Sequence, residues 1–181
     1  MLAVAAVSAR MLAEAAACDG YGVAALDLFG DADTRRVSRL WRSIGAAGSL
    51  QIDEALVLGA LHDMKRQSGN AMIGWIPGSG FEGRPELLRA GAQLLPLIGT
   101  PADAVRRVRA PTEFFAALGA HAIEHPPVRF DAPADALGWL SKDAHGSGGW
   151  HIRHAGAARE SAGAASALYF QRAMSGVPMS A

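Results

Sequence analysis

The chain has 181 residues, 50% of them hydrophobic and 19% charged, with 17 basic side chains against 17 acidic ones. A formal net charge of zero provides neither the basic surface that duplex nucleic acid calls for nor a polybasic membrane patch. The apolar content excludes a disordered chain and suits one domain, or one and a fraction.

The N-terminal run MLAVAAVSARMLAEAAA lacks a basic start and is interrupted by Arg10 and Glu14, so it reads as strand plus helix rather than a signal peptide. No uninterrupted apolar run reaches the roughly 18 residues that a membrane span needs. Leu2 to Val7 is the first strand, Met11 to Cys18 a helix broken by Asp19-Gly20, and Val23 to Leu26 a second strand closed by Asp27. Cys18, the one cysteine, excludes an intrachain disulfide, implies a reducing, cytoplasmic setting, and reads as a small core residue. This β-loop-α-β opening suits a doubly wound sheet, and Asp27 sits where dinucleotide folds carry a ribose-binding acid. The first loop, Val7-Ser8-Ala9-Arg10-Met11, has no G-x-G-x-x-G, which disfavours a nicotinamide site.

Residues 28–48 mix charge and glycine and predict loop with a short helix over Val37 to Arg42. Asp53 to Arg66 is a helix with an apolar face at Leu56, Leu58, Leu61 and Met64, capped by Asp53 or Ser49. Ala71 to Ile76 reads as a third strand, ending at Pro77-Gly78-Ser79-Gly80. Pro85 opens a helix to Leu94, Leu95 to Ile98 is a short strand, and helices follow over 101–108 and 111–118. Beyond about residue 110 the pattern turns antiparallel: strands at 128–130, 137–142, 150–153 and 168–174. The expected architecture is α/β: a Rossmann-like domain with a parallel sheet over residues 1–109, followed by an incomplete α+β lobe with antiparallel strands over 110–181.

Two stretches carry chemistry. In WLSKDAHGSGGWHIR (139–153), a seven-residue loop, Asp143 to Gly149, joins two strands, where two to five residues are commoner. Its glycines let backbone N–H groups turn toward an anion, Lys142 supplies charge at its mouth and Ser147 a hydroxyl. The other reading is a surface hairpin with a solvated lysine. Gly78-Ser79-Gly80-Phe81-Glu82 follows the third strand, on the rim where open α/β sheets bind ligands. There Glu82 either orients an amine or begins the next helix, with Phe81 in the core. His145, His151 and His154 have no second Cys or His pair to complete a zinc site.

In their order and spacing these motifs resemble the ATP-grasp superfamily of carboxylate–amine ligases, in particular the branch that includes tyramine–glutamate ligases. The resemblance rests on Val7-Ser8-Ala9-Arg10, Asp27-Leu28-Phe29-Gly30-Asp31-Ala32-Asp33-Thr34, Gly78 to Glu82 with Arg84-Pro85-Glu86, Trp139 to Lys142 with Gly146 to Ile152, and Tyr169 to Arg172 with Gly176 to Ala181. It spans nearly the whole chain but only the front of that family's architecture. It implies a pre-ATP-grasp domain, then the first lobe of the ATP-grasp fold. Lys142 would contact the ATP phosphates and Gly146, Ser147, Gly148 and Gly149 would fold over them. Arg109 stands where such ligases carry a second phosphate-contacting lysine, Gln171 where many have a glutamate beside the adenine hinge, and backbone near Arg172 and Met174 would face the adenine edge. Ser8, Arg10, Gly78, Ser79, Gly80 and Glu82 would line the side that takes the carboxylate and amine substrates. The family's proline after the strand lysine is Asp143 here. The acidic residues and asparagine that hold Mg2+ would follow Ala181. A fragment with weak nucleotide binding and little ligase activity is therefore expected. The alternative is a non-catalytic Rossmann-like nucleotide-binding or assembly module, pairing with a C-terminal half or a second copy through an open edge at its last strand.

Overall fold

Leu2–Ala5 (β1) and Val23–Asp27 (β2) are buried at every position. Strands buried on both faces belong in the middle of a parallel sheet covered by helices. The computed structural model describes residues 1–46, 50–146, 149, 151–156 and 168–176, and places them so. With Leu40–Ser43 as β3 and Gly74–Pro77 as β4, the sheet order is β3-β2-β1-β4, all pairs parallel. This sheet belongs to the first of two compact units, Met1–Val105 and Arg106–Ala181.

The helices of the first unit are α1 (Arg10–Cys18), α2 (Ala32–Val37), α3 (Glu54–Ser68) and α4 (Pro85–Leu94), with the first half of α5 (Ala102–Arg109). Asp53 caps α3, accepting from Leu56 N at 3.1 Å, and Asp31 caps α2, accepting from Thr34 N at 2.8 Å. Val57, Leu61 and Met64 of α3 and Leu87 and Leu88 of α4 share one core with Leu26 and Trp75. Ala13 and Ala16 of α1 pack with Val4, Val23 and Ala25 in a second. The small residues of α1 leave little side chain between helix and sheet.

Four expectations need correction. The short helix over 37–42 is instead the end of α2 followed by β3, because the Asp31 cap starts the helix early and Trp41 is drawn to β2 by its indole N–H. Leu95 to Ile98 makes only an isolated parallel bridge, Trp75 with Leu97; Pro96 has no N–H to extend it. Cys18 is exposed at the end of α1, not in the core. Asp27 is not available to a ribose. It is fully buried, and its carboxylate accepts from Ala9 N (3.1 Å), Phe29 N (3.2 Å), Gly30 N (2.8 Å) and Trp41 Nε1 (2.7 Å).

In the second unit, α6 (Pro111–Ala120) precedes β5 (Val128–Arg129), β6 (Trp139–Asp143), β7 (Arg153–His154) and β8 (Leu168–Arg172). The strands form an antiparallel sheet, order β5-β8-β6-β7. The strand expected at 150–153 begins only at Arg153, and Trp150 lies outside the described residues. The last strand is not an open edge. Among the described residues β8 lies inside the sheet, paired along its whole length with β6 and at Phe170 and Gln171 with β5, and the edges are the two-residue β5 and β7. Among the described residues no helix is long and apolar enough to cross a membrane.

Candidate functional site

Antiparallel register decides which side chains share a face of the second sheet. Lys142 lies opposite Tyr169, and Leu140 lies opposite Gln171 on one side and His154 on the other. These side chains project from one face, while Ser141, Asp143, Phe170 and Arg172 project from the other. Lys142 Nζ donates to Gln171 Oε1. Burial holds the Lys142 ammonium below its ordinary pKa, and no carboxylate among the described residues contributes to raise it. Asp143 is on the opposite face, where its Oδ1 accepts from His145 N at 2.8 Å.

Arg109 closes α5 and reaches the start of the glycine segment. Its Nη2 donates to the carbonyl of Ala144 at 2.7 Å and to that of Gly146. Its Nε–H is buried with no protein partner among the described residues. Tyr169 stands close by. Burial pushes its phenol pKa up, and the positive charge of Arg109 pulls it partly back. Phe115 of α6 packs on the Tyr169 ring at 5.9 Å. Lys142, Gln171, Tyr169, Arg109 and Gly146 thus gather in the second unit.

Gly146 has a steric reason to be glycine, since a Cβ there would overlap the His151 ring. Gly149 adopts φ +78°, a left-handed conformation that side chains avoid, and its carbonyl accepts from Ile152 N at 3.0 Å. Ser147 and Gly148 lie outside the described residues. Arg172 is occupied. Its Nη1 donates to Leu137 O at 3.1 Å, its guanidinium stacks over Trp139 at 5.7 Å, and its backbone N–H donates to Pro127 O at 2.8 Å. The N–H of Ala173 donates to Gly138 O at 2.8 Å, and Met174 is exposed.

The other residues named from sequence meet at the C-terminal rim of the parallel sheet. The loops after β1 and β4 are tied together: Val7 N donates to Ser79 O at 2.8 Å and Gly78 N to Ala5 O at 2.7 Å. Ser8 and Arg10 are exposed there, with Arg10 Nη1 3.7 Å from Asp33 and 3.9 Å from Asp31. Gly80 turns at φ +97° and donates its N–H to Glu82 Oε2 at 2.7 Å. The Glu82 carboxylate therefore closes its own loop, and Phe81 is buried edge-on against Trp75 at 5.6 Å.

No protein-family model matches the sequence, and no curated protein matches it. Solved structures do match the fold. An N5-carboxyaminoimidazole ribonucleotide synthetase from Thermus thermophilus superposes with a TM-score of 0.64 at 20% identity, over 97% of this chain and 47% of that one. An L-amino acid ligase from Bacillus licheniformis gives 0.63 at 14% identity, over 94% and 43%. The biotin carboxylase domain of Hydrogenobacter thermophilus 2-oxoglutarate carboxylase, solved with MgADP, ADP and bicarbonate, gives 0.67 at 13%, over 96% and 44%. This is a fold found in ATP-grasp ligases. The 181 residues span less than half the length of these ATP-grasp structures.

Within that fold, the donors of the second unit fit an anion. Among the described residues, a half-buried ammonium without a carboxylate and a buried guanidinium N–H without an acceptor are both left short of negative charge. Among the described residues no group of three or more His, Cys, Asp or Glu gathers that could hold a metal ion. Sequence reasoning missed Tyr169, and missed that Arg109 meets loop backbone. Tyr169 had a signal, because it alternates with Gln171 on the strand that pairs with Lys142. The Arg109 contact had none, since 35 residues separate it from Ala144.

Proposed function

We propose that this chain is the nucleotide-binding front of an ATP-dependent carboxylate–amine ligase, with the phosphates of ATP received by the β6–β8 face and the glycine segment of the second unit. The observation that carries the reading is the Lys142 ammonium: half-buried, hydrogen-bonded to a neutral amide, and uncompensated by any carboxylate among the described residues. Such a charge is stabilised when an anion arrives. Lys142 would neutralise phosphate oxygens, and Gln171 would orient its ammonium. Gly146, Ser147, Gly148 and Gly149 would supply backbone N–H groups, and adenine-edge contacts would come from backbone near Arg172 and Met174.

In the proposed reaction a substrate carboxylate oxygen attacks the γ-phosphorus of ATP, ADP leaves, and an amine then displaces phosphate from the acyl phosphate with loss of a proton. The chain's own part is positioning and charge neutralisation. Ser8, Arg10 and the Gly78 to Glu82 loop are proposed for the carboxylate and amine side. Glu82 would act there by shaping the loop, since its carboxylate is held by Gly80 N. Because the chain spans under half of the matched structures, turnover is proposed to need the rest of that fold, and the 181 residues alone to bind nucleotide with little catalysis.

Isothermal titration of the 181-residue protein with ATP tests this. Saturable binding in wild type that is weakened at least tenfold in Lys142→Ala supports the reading. Equal binding by both proteins, or none by wild type, ends it. Rapid ADP release by the 181 residues with Mg2+, an acid and an amine supplied would overturn the claim of little catalysis.

A further inference from the structure

The stem of the glycine segment, Asp143 to Gly146, is tied at each turn of its backbone. His145 N donates to Asp143 Oδ1 at 2.8 Å and Gly146 N to Asp143 O at 3.1 Å. The carbonyls of Ala144 and Gly146 both accept from Arg109 Nη2. The two N–H ties are made within the stem; the carbonyl ties come from a helix end 35 and 37 residues away. One guanidinium nitrogen carries two hydrogens, so it can serve both carbonyls at once in a fixed plane. On the other side the His151 ring lies against Gly146 so closely that a Cβ would overlap it. Gly146 is thus gripped by an arginine through its carbonyl and by an imidazole ring over its Cα.

We propose that Arg109 is a positioning residue of the phosphate site, acting through the carbonyls of Ala144 and Gly146 to hold the stem beside Lys142. This differs from the role its place in the chain suggests, that of a bare positive charge set against phosphate. The proposal rests on the reading of the Lys142 face as a phosphate site. Lysine at 109 would keep the charge and lose the planar fork, so the two roles separate cleanly.

The test is amide hydrogen exchange by NMR on the nucleotide-free 181-residue protein, followed by ATP titration. In Arg109→Lys and Arg109→Gln the amides of His145 and Gly146 exchange about tenfold faster, as for loss of a charged donor from a locally stable turn. Phe170, in the middle of β8, keeps its protection. Both variants then lose ATP affinity to a similar extent. Wild-type exchange at His145 and Gly146 in Arg109→Lys overturns the proposal, as does full ATP affinity in Arg109→Lys with loss in Arg109→Gln, the pattern of a phosphate charge. If the Arg109 variants lose protection at Phe170 as well, Gly146→Ala disturbs the same stem from the His151 side with Arg109 intact. Faster stem exchange with weaker ATP binding supports the proposal there, and unaltered ATP binding overturns it. If wild type binds no ATP, the phosphate reading fails and takes the nucleotide role of Arg109 with it, while the exchange data still show whether Arg109 holds the stem.

Discussion

A lysine whose charge is disfavoured by burial leaves a signature in pH as well as in binding. The folded-state pKa of Lys142 lies below its ordinary value because burial disfavours the charged form. Between the folded and unfolded values the unfolded chain keeps a proton that the folded chain has shed, so stability rises with pH across that window. The penalty is fully present at neutral pH, where both states are charged, and disappears above the unfolded value. Urea midpoints of wild type and Lys142→Met, followed from about pH 7 to about pH 11, should shift in favour of wild type as pH climbs. A difference that stays flat would mean burial costs this ammonium nothing. In ATP binding, Lys142→Ala should lose about 10- to 100-fold in affinity, the worth of one charged hydrogen bond of roughly 1.5–3 kcal/mol. Asp27 is a residue of the opposite kind, a buried charge with four donors and no ligand to wait for. Asp27→Asn puts an NH2 against N–H groups and should lower unfolding free energy by about 3 kcal/mol in urea titrations.

Among the elements, α4 packs closely on the Trp75 ring of β4. A Cβ on Gly91 would sit 2.5 Å from Trp75 Cζ2. Alanine normally gains about 1 kcal/mol over glycine in a helix, but overpacking costs about 1–3 kcal/mol. Gly91→Ala should therefore lower the melting temperature, and a rise would show that the Trp75 ring has room to move. The same contrast explains what could be read in advance. Helices announced by Pro85, Pro111 and the Asp53 cap lie where expected, because those signals are local and physical. β3 stayed hidden among arginines because its support is distant: the Trp41 indole bonded to Asp27 and the pairing with β2. For the candidate site, the glycine spacing and Lys142 stand out in the chain. The meeting of Lys142 with Gln171 depends on the β6–β8 register, which no local pattern reveals.

Across the whole molecule the two units differ in how much they bury. Both hydrophobic clusters lie within residues 1–105. The buried apolar residues of the second unit, among those described, are Pro133, Ala144, Ala155 and Phe170. The peptide 1–105 should therefore unfold on its own in one cooperative transition, while 106–181 should do so only weakly unless ATP is added. A cooperative, ATP-independent melt of 106–181 would contradict this. Asp27 adds a consequence in time. Its carboxylate can shed water only after the chain around Ala9, the turn at Phe29-Gly30 and the Trp41 indole have all arrived. That final dehydration belongs on the native side of the barrier. In stopped-flow experiments, loss of this anion should hasten escape from the native basin and leave the speed of entry almost untouched.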